Sequence, residues 1–175
     1  ADAPAWMRQG DFHSTRPVWV DGKIRTGYTC NVMMRMDSPA IQGKRFDLER
    51  GQTGGEDTEF FDRVYRDGGR IVFAPEAQVD EFVTNARAIA VWLAKRRFRS
   101  GQTHGRLLKQ KHSVSALPGL VALAGAKTFY CAVFALATVA NSSKRNGYLL
   151  RGALHLGAIA GLTGLREVKQ YGLTR

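Results

Sequence analysis

The sequence predicts an α/β fragment over residues 1–105, a sheet with flanking helices, followed by a helical hydrophobic tail over residues 106–175. Three observations carry that expectation. Apolar segments too short for helices, bounded by glycine and proline, read as strands in the first part. Between them, Phe60, Phe61, Val64 and Tyr65 recur at the spacing of one helix face. The last third is dominated by long uncharged runs rich in alanine, glycine and leucine.

Near the start, Trp6 and Trp19 flank a polar loop containing Gly10, Asp11, His13 and Arg16. The loop leads to a predicted strand over 27–35, where Thr29, Asn31 and Met33 alternate with Cys30, Val32 and Met34. Then comes Thr53-Gly54-Gly55-Glu56-Asp57-Thr58-Glu59-Phe60-Phe61. Its glycine pair permits a sharp turn and leaves room for something to approach the backbone. The turn delivers Glu56 and Asp57 onto the first turn of an amphipathic helix, whose N-terminus stabilises negative charge. Two readings fit such a pair: an acidic start that only complements the helix dipole, or a carboxylate beside open space that acts as a general base. Gly68-Gly69 supplies the C-terminal stop. Residues 70–75 read as a strand ended by Pro75 and residues 77–83 as a second extended piece. Thr84 reads as the N-cap of a basic helix over 85–99.

Charge separates the two parts. Residues 1–90 carry 12 lysines and arginines against 14 acids, whereas residues 91–175 carry 14 against one, Glu167. An anionic partner surface is expected for the second half. Its uncharged runs, 113–126, 128–143 and 152–165, each fall short of the roughly 20 residues that cross a bilayer unaided. Lys109, Lys111, Lys144, Arg145, Arg151 and Arg166 flank them, a pattern that fits a monotopic or re-entrant membrane hairpin, with Lys127 snorkelling and Pro118 ending a shallow segment. A buried helical pair of a soluble oligomer is the other reading of these runs. Nucleic acid is not an expected partner. The run Lys95-Arg96-Arg97-Phe98-Arg99 could track phosphates, but the chain has no zinc finger, ribonucleoprotein-type aromatic motif or helix-turn-helix to go with it.

Cys30 and Cys131 lie in unrelated stretches, so two free thiols of a reducing compartment are expected rather than zinc or a disulfide. His13, His104, His112 and His155 are scattered, which argues against a self-contained metal site. The opening Ala-Asp-Ala-Pro-Ala-Trp shows neither an initiator methionine nor a signal peptide, as expected of a chain that starts within a longer protein or was processed.

Gly54-Gly55-Glu56-Asp57, the helix with Phe60-Phe61 and Arg63, Gly68-Gly69-Arg70-Ile71, Pro75-Glu76-Ala77, Val79-Asp80-Glu81, Arg87 and Arg96-Arg97-Phe98-Arg99-Ser100-Gly101 form one constellation. It resembles the acceptor half of bacterial family 2 glycosyltransferases, above all those that build exopolysaccharide or lipopolysaccharide repeat units. The resemblance covers residues 4–105, with a looser echo to the end. It implies a partial GT-A-like mixed sheet that serves sugar transfer, with inversion, from a nucleotide-sugar donor to a lipid-linked or polysaccharide acceptor at the cytoplasmic face of the inner membrane. In that scheme Asp57 takes the acceptor's proton and Glu56 orients the acceptor. Gly54, Gly55 and Asn31 border the acceptor site, and Arg96, Arg97 and Arg99 are candidates for the leaving diphosphate. Three arginines in four helical positions cannot all face one way, so at most two reach it. Asp80-Glu81 stand where many relatives place a histidine near the metal-diphosphate.

The resemblance also implies a nucleotide-binding half whose Asp-x-Asp element holds a divalent cation, Mg or Mn. Residues 1–175 contain no Asp-x-Asp and no glycine-rich phosphate loop after a strand. A C-terminal half is therefore expected, inactive in isolation, with no metal ligand assigned within it and a donor-binding half that is encoded as a separate chain, truncated or lost. The alternative is a non-catalytic membrane-associated subunit or remnant that keeps the fold without the chemistry.

Overall fold

The computed structural model describes residues 3–50 and 53–169. In chain order its elements are α1 (Ala5–Gln9), β1 (Trp19–Val20), β2 (Lys23–Ile24), α2 (Glu56–Arg66), α3 (Ala90–Lys111), α4 (Leu117–Ala137) and α5 (Ser142–Thr163), with three short 3-10 turns. The chain divides into two compact units, one built from residues between 15 and 81 and the other from residues 3–14 with 82–169.

The first unit opens with an antiparallel hairpin in which Trp19 faces Ile24 and Val20 faces Lys23. Asp21 and Gly22 both take positive φ, 50° and 70°, as a two-residue turn that matches strand twist requires. Its core forms on the apolar face of α2, where Phe60, Phe61 and Val64 are buried with Ala40. Phe46 stacks on Phe60 with ring centroids 4.3 Å apart, and Met34, Ile41 and Ile71 close the cluster. Fully burying each large side chain contributes about 1.5–3 kcal/mol. The helix stops as the glycine pair predicts. The Gly69 N–H donates to Val64 O at 2.9 Å and the Gly68 N–H to Tyr65 O at 3.1 Å, with Gly68 at φ 84°. That is a Schellman motif, which satisfies carbonyls the last turn leaves open.

Several expected elements take another form here. Among the described residues the two-residue hairpin is the sole ladder. Residues 29–31 form a 3-10 turn inside the stretch read as a strand, and 70–83 contain turns and irregular backbone without strand pairing. Alternation gives a chain the side-chain pattern of a strand, but a ladder also needs a neighbour to accept its hydrogen bonds. Thr84 does not cap the basic helix. Its carbonyl accepts from the Arg87 and Ala88 N–H groups in a turn, and Ile89 precedes a helix running from Ala90 to Lys111. That helix crosses residues 105 and 106 without a break, so the expected boundary falls inside an element.

The second unit is helical. Its core contains Met7 from α1, Leu93 from α3 and Leu150 from α5, with Trp6, Phe12 and Trp92 against them. α3 and α5 meet backbone to backbone through two Gly-x-x-x-Gly pairs, Gly101/Gly105 and Gly157/Gly161. A Cβ built on Gly157 would lie 1.9 Å from Phe98 O, and one on Gly101 2.0 Å from Leu154 O. Small residues at this spacing allow such an approach. Buried Gln102 then pins the segment after α5: its Nε2 donates to Arg166 O at 3.1 Å and its Oε1 accepts from the Val168 N–H at 3.0 Å. Arg106 binds Glu167 at 2.9 Å.

The apolar runs play different parts. Residues 152–165 lie largely within α5, whose Gly157, Ala158, Ala160, Gly161 and Leu162 are buried. The other two runs join across Lys127. Val114–Ala137 makes one continuous 24-residue stretch, the one helix among the described residues long and apolar enough to cross a membrane, and only 17% of its most apolar window is buried. Pro118 does not end a segment there; it sits in the first turn of α4, where its missing N–H costs nothing. Phe129, Tyr130, Val133 and Leu136 remain exposed. Cys30 and Cys131 are both free thiols, the first exposed and the second buried.

Candidate functional site

The Gly54-Gly55-Glu56-Asp57 turn is built by backbone conformation. Gly54 and Gly55 have φ of 72° and 88°, in the left-handed region that side-chain-bearing residues avoid, and Gly55 is the N-cap that precedes α2. The entry is braced on two sides. The Gly54 N–H donates to Arg50 O at 2.6 Å. The Arg50 guanidinium bridges Glu59 at 2.7 Å and Asp47 at 3.0 Å, tying the preceding 3-10 turn to the first turn of the helix. Glu56, Asp57 and Glu59 therefore crowd one helix N-terminus, where dipole and free N–H groups favour negative charge.

The three carboxylates differ in what they have left to offer. Glu59 is committed to Arg50. Asp57 Oδ1 accepts from the Thr58 N–H at 2.6 Å and from Thr58 Oγ1 at 3.3 Å, which fixes the carboxylate plane. Glu56 Oε2 is buried and has no hydrogen-bond partner among the described residues. A buried acceptor without a donor is costly and marks a place where a ligand hydroxyl would be welcome. Below them, Asp62 is almost wholly buried, with Arg66 Nε at 3.0 Å. The sequence reading missed this pair, although an Asp–Arg spacing of four is a legible signal.

Asn31 lies in the same unit. Its Nδ2 donates to Ala77 O at 2.6 Å, so the amide holds the 29–31 turn to the 74–78 segment. Arg96, Arg97 and Arg99 belong to the helical unit. Arg96 donates to His13 O at 3.3 Å and the His13 ring stacks on Trp92 at 5.9 Å, which joins α3 to residues 12–14; within α3 the Arg96 guanidinium lies 5.5 Å from the Trp92 ring centroid. Among the described residues no three His, Cys, Asp or Glu side chains gather to hold one cation. With Glu59 on Arg50 and Asp57 on Thr58, the first turn of α2 does not make such a site.

The helical unit holds a second set of polar groups that the sequence did not bring together. His104 of α3, Lys127 of α4 and His155 of α5 line one pocket of about 90 Å³. His104 and Lys127 are exposed and His155 is half-buried; desolvation, then Lys127, Lys111 and His155, lower the pKa of His104. Desolvation, then Lys127 and Arg151, lower that of His155.

The chain matches no protein-family model and no solved structure. Over 170 residues, 97% of its length, it is 54% identical to the succinoglycan biosynthesis protein ExoM of Rhizobium meliloti (strain 1021). It spans 55% of the length of that curated relative.

Proposed function

We propose that this chain is the acceptor-side part of an inverting, family 2-like glycosyltransferase of exopolysaccharide biosynthesis. The observation that carries the reading is the 54% identity, over nearly the whole chain, to a succinoglycan biosynthesis protein. The Gly-Gly-Glu-Asp helix entry supports it, because it presents two carboxylates on a braced, glycine-opened turn. A GT-A-like sheet, completed by chain beyond these residues, belongs to the same proposal.

In this mechanism the acceptor hydroxyl attacks the anomeric carbon of a nucleotide sugar. The new glycosidic C–O bond forms as the bond to the nucleoside diphosphate breaks, with inversion. The hydroxyl proton passes to Asp57 through Oδ2, since Oδ1 is engaged by Thr58. Glu56 Oε2 accepts from a neighbouring acceptor hydroxyl and holds the nucleophile in line. A divalent cation, held by residues outside this part of the protein, would supply counter-charge for the leaving diphosphate. Arg96, Arg97 and Arg99 are the proposed cations for that diphosphate, at most two of them facing it.

Labelled sugar transfer to membrane lipid or polymer tests the proposal. The full-length protein, given nucleotide sugar, Mn²⁺ and membranes, should label that fraction. Residues 1–175 alone should bind uridine or guanosine diphosphate sugars no tighter than about millimolar, about 4 kcal/mol. Micromolar binding in isothermal titration would place the donor site within this chain and overturn the division of labour. No transfer by the full-length protein would favour the non-catalytic subunit.

The reading also puts the helical unit on the cytoplasmic face of the inner membrane, with the exposed face of α4 in lipid and the surrounding cations on anionic headgroups. The full chain should sediment with anionic liposomes and stay bound at about 1 M salt, where the Debye length is only ~3 Å and attraction between exposed charges is screened. Complete release at that salt would make the association purely electrostatic and refute insertion.

A further inference from the structure

We propose that the pocket between α3, α4 and α5 binds the phosphate of an acyl-chain lipid, with His104, Lys127 and His155 around the headgroup and Leu120, Leu154 and Leu162 against the chain. The proposal rests on the membrane contact inferred above, but not on Asp57 or on sugar transfer.

Three features of the pocket point to this ligand. Its polar end is made only of cations and imidazoles, one from each helix, and Lys127 has no ion-pair partner among the described residues. No acid lines it, and the one acid beyond residue 90, Glu167, is held by Arg106. Lys127 and His104 are exposed at the rim of the pocket, where an anion is the complementary charge. The rest of the lining is leucine and alanine, which offers a free phosphate nothing and an alkyl chain a surface to bury. The volume, about 90 Å³, has room for several waters and so for a headgroup that displaces them. Finally, Leu120, Leu123, Ala124 and Lys127 all come from α4, the helix whose exposed apolar surface suits a bilayer. A lipid seated here would enter along that helix.

The imidazoles add a pH dependence. Desolvation, then Lys127 from α4, disfavour protonation of both, with Lys111 from α3 acting on His104 and Arg151 from α5 on His155. A bound phosphate offsets these cations, so the lipid should raise the pKa of both histidines, and its affinity should increase as pH falls through their titration.

The test uses the full chain in a nonionic detergent, titrated with dihexanoylphosphatidylglycerol, a diester whose charge is constant near neutral pH. Imidazole proton resonances of His104 and His155, assigned with His104→Asn and His155→Asn, should move and titrate at higher pH with the lipid. Inorganic phosphate at the same concentration should leave them nearly unmoved. Lys127→Gln should weaken the lipid at least about tenfold, the loss of one charge-assisted hydrogen bond, with unchanged helical circular dichroism. Lys23→Gln, on the exposed hairpin of the first unit and outside the lining, should change it less than about twofold. Histidine signals indifferent to the lipid, equal shifts with inorganic phosphate, or wild-type affinity in a folded Lys127→Gln would each overturn the proposal. None of these outcomes bears on sugar transfer, which is measured separately.

Discussion

Asp57→Asn in the full-length protein should lower turnover at least ~10²-fold, about 2.7 kcal/mol of transition-state stabilisation, while donor affinity stays nearly unchanged. The substitution is chosen because the structure isolates the proton-accepting role from the structural one. Asparagine keeps an oxygen to accept from the Thr58 N–H, the 2.6 Å bond that fixes the side chain at the start of α2. It keeps the volume, and Arg50 still braces Glu59. What it loses is the ability to take a proton at the second oxygen. Thermal stability should therefore hardly change, and a collapse in turnover would report chemistry rather than folding. Glu56→Gln should cost less, because an amide can still accept from a neighbouring hydroxyl. Near-normal turnover in Asp57→Asn would remove Asp57 as the base and leave the acidic helix start as a dipole complement only.

The legibility of this chain followed the range of each signal. α2 could be read from entry to exit because its determinants are local: two glycines at positive φ before Glu56, an apolar stripe at Phe60, Phe61 and Val64, and Gly68-Gly69 closing a Schellman motif. The start of α3 was misplaced although Thr84 is a good capping residue. Its backbone carbonyl serves a turn instead, a choice made by the geometry of residues 84–88. Strands were the weakest reading, since 27–35 has the alternation and 70–75 the short apolar run of a strand, but neither makes a ladder among the described residues. Within the site, the position of Glu56 and Asp57 was legible. The engagement of the Asn31 amide with Ala77, 46 residues away, was not. Nor was the meeting of His104, Lys127 and His155, because each comes from a different helix and carries no pattern of its own.

The tail was legible in composition and misread in arrangement, and its glycines decide the difference. Gly157→Val should destabilise the helical unit by about 3 kcal/mol or more, beyond the usual range for overpacking. A valine Cβ at that position would start 1.9 Å from Phe98 O and 3.0 Å from Phe98 Cα. These are backbone atoms of a facing helix and cannot rotate aside. α3 and α5 would have to separate, which opens the matching approaches at Gly101, Gly105 and Gly161 as well. The separation would also draw Gln102 away from Arg166 and Val168, leaving a buried amide without its partners. Gly125→Ala is the informative contrast. It too lies in a helix, but nothing stands within 4 Å of a Cβ built there. Its only effect is to restrict the unfolded chain, so it should stabilise by about 0.5–1 kcal/mol. Thermal unfolding followed by circular dichroism, both variants in the same detergent, reads the two directions in one experiment. If Gly157→Val melts with the wild type, α3 and α5 are not in backbone contact, and residues 152–165 return to the alternative the sequence allowed: a second apolar segment facing lipid.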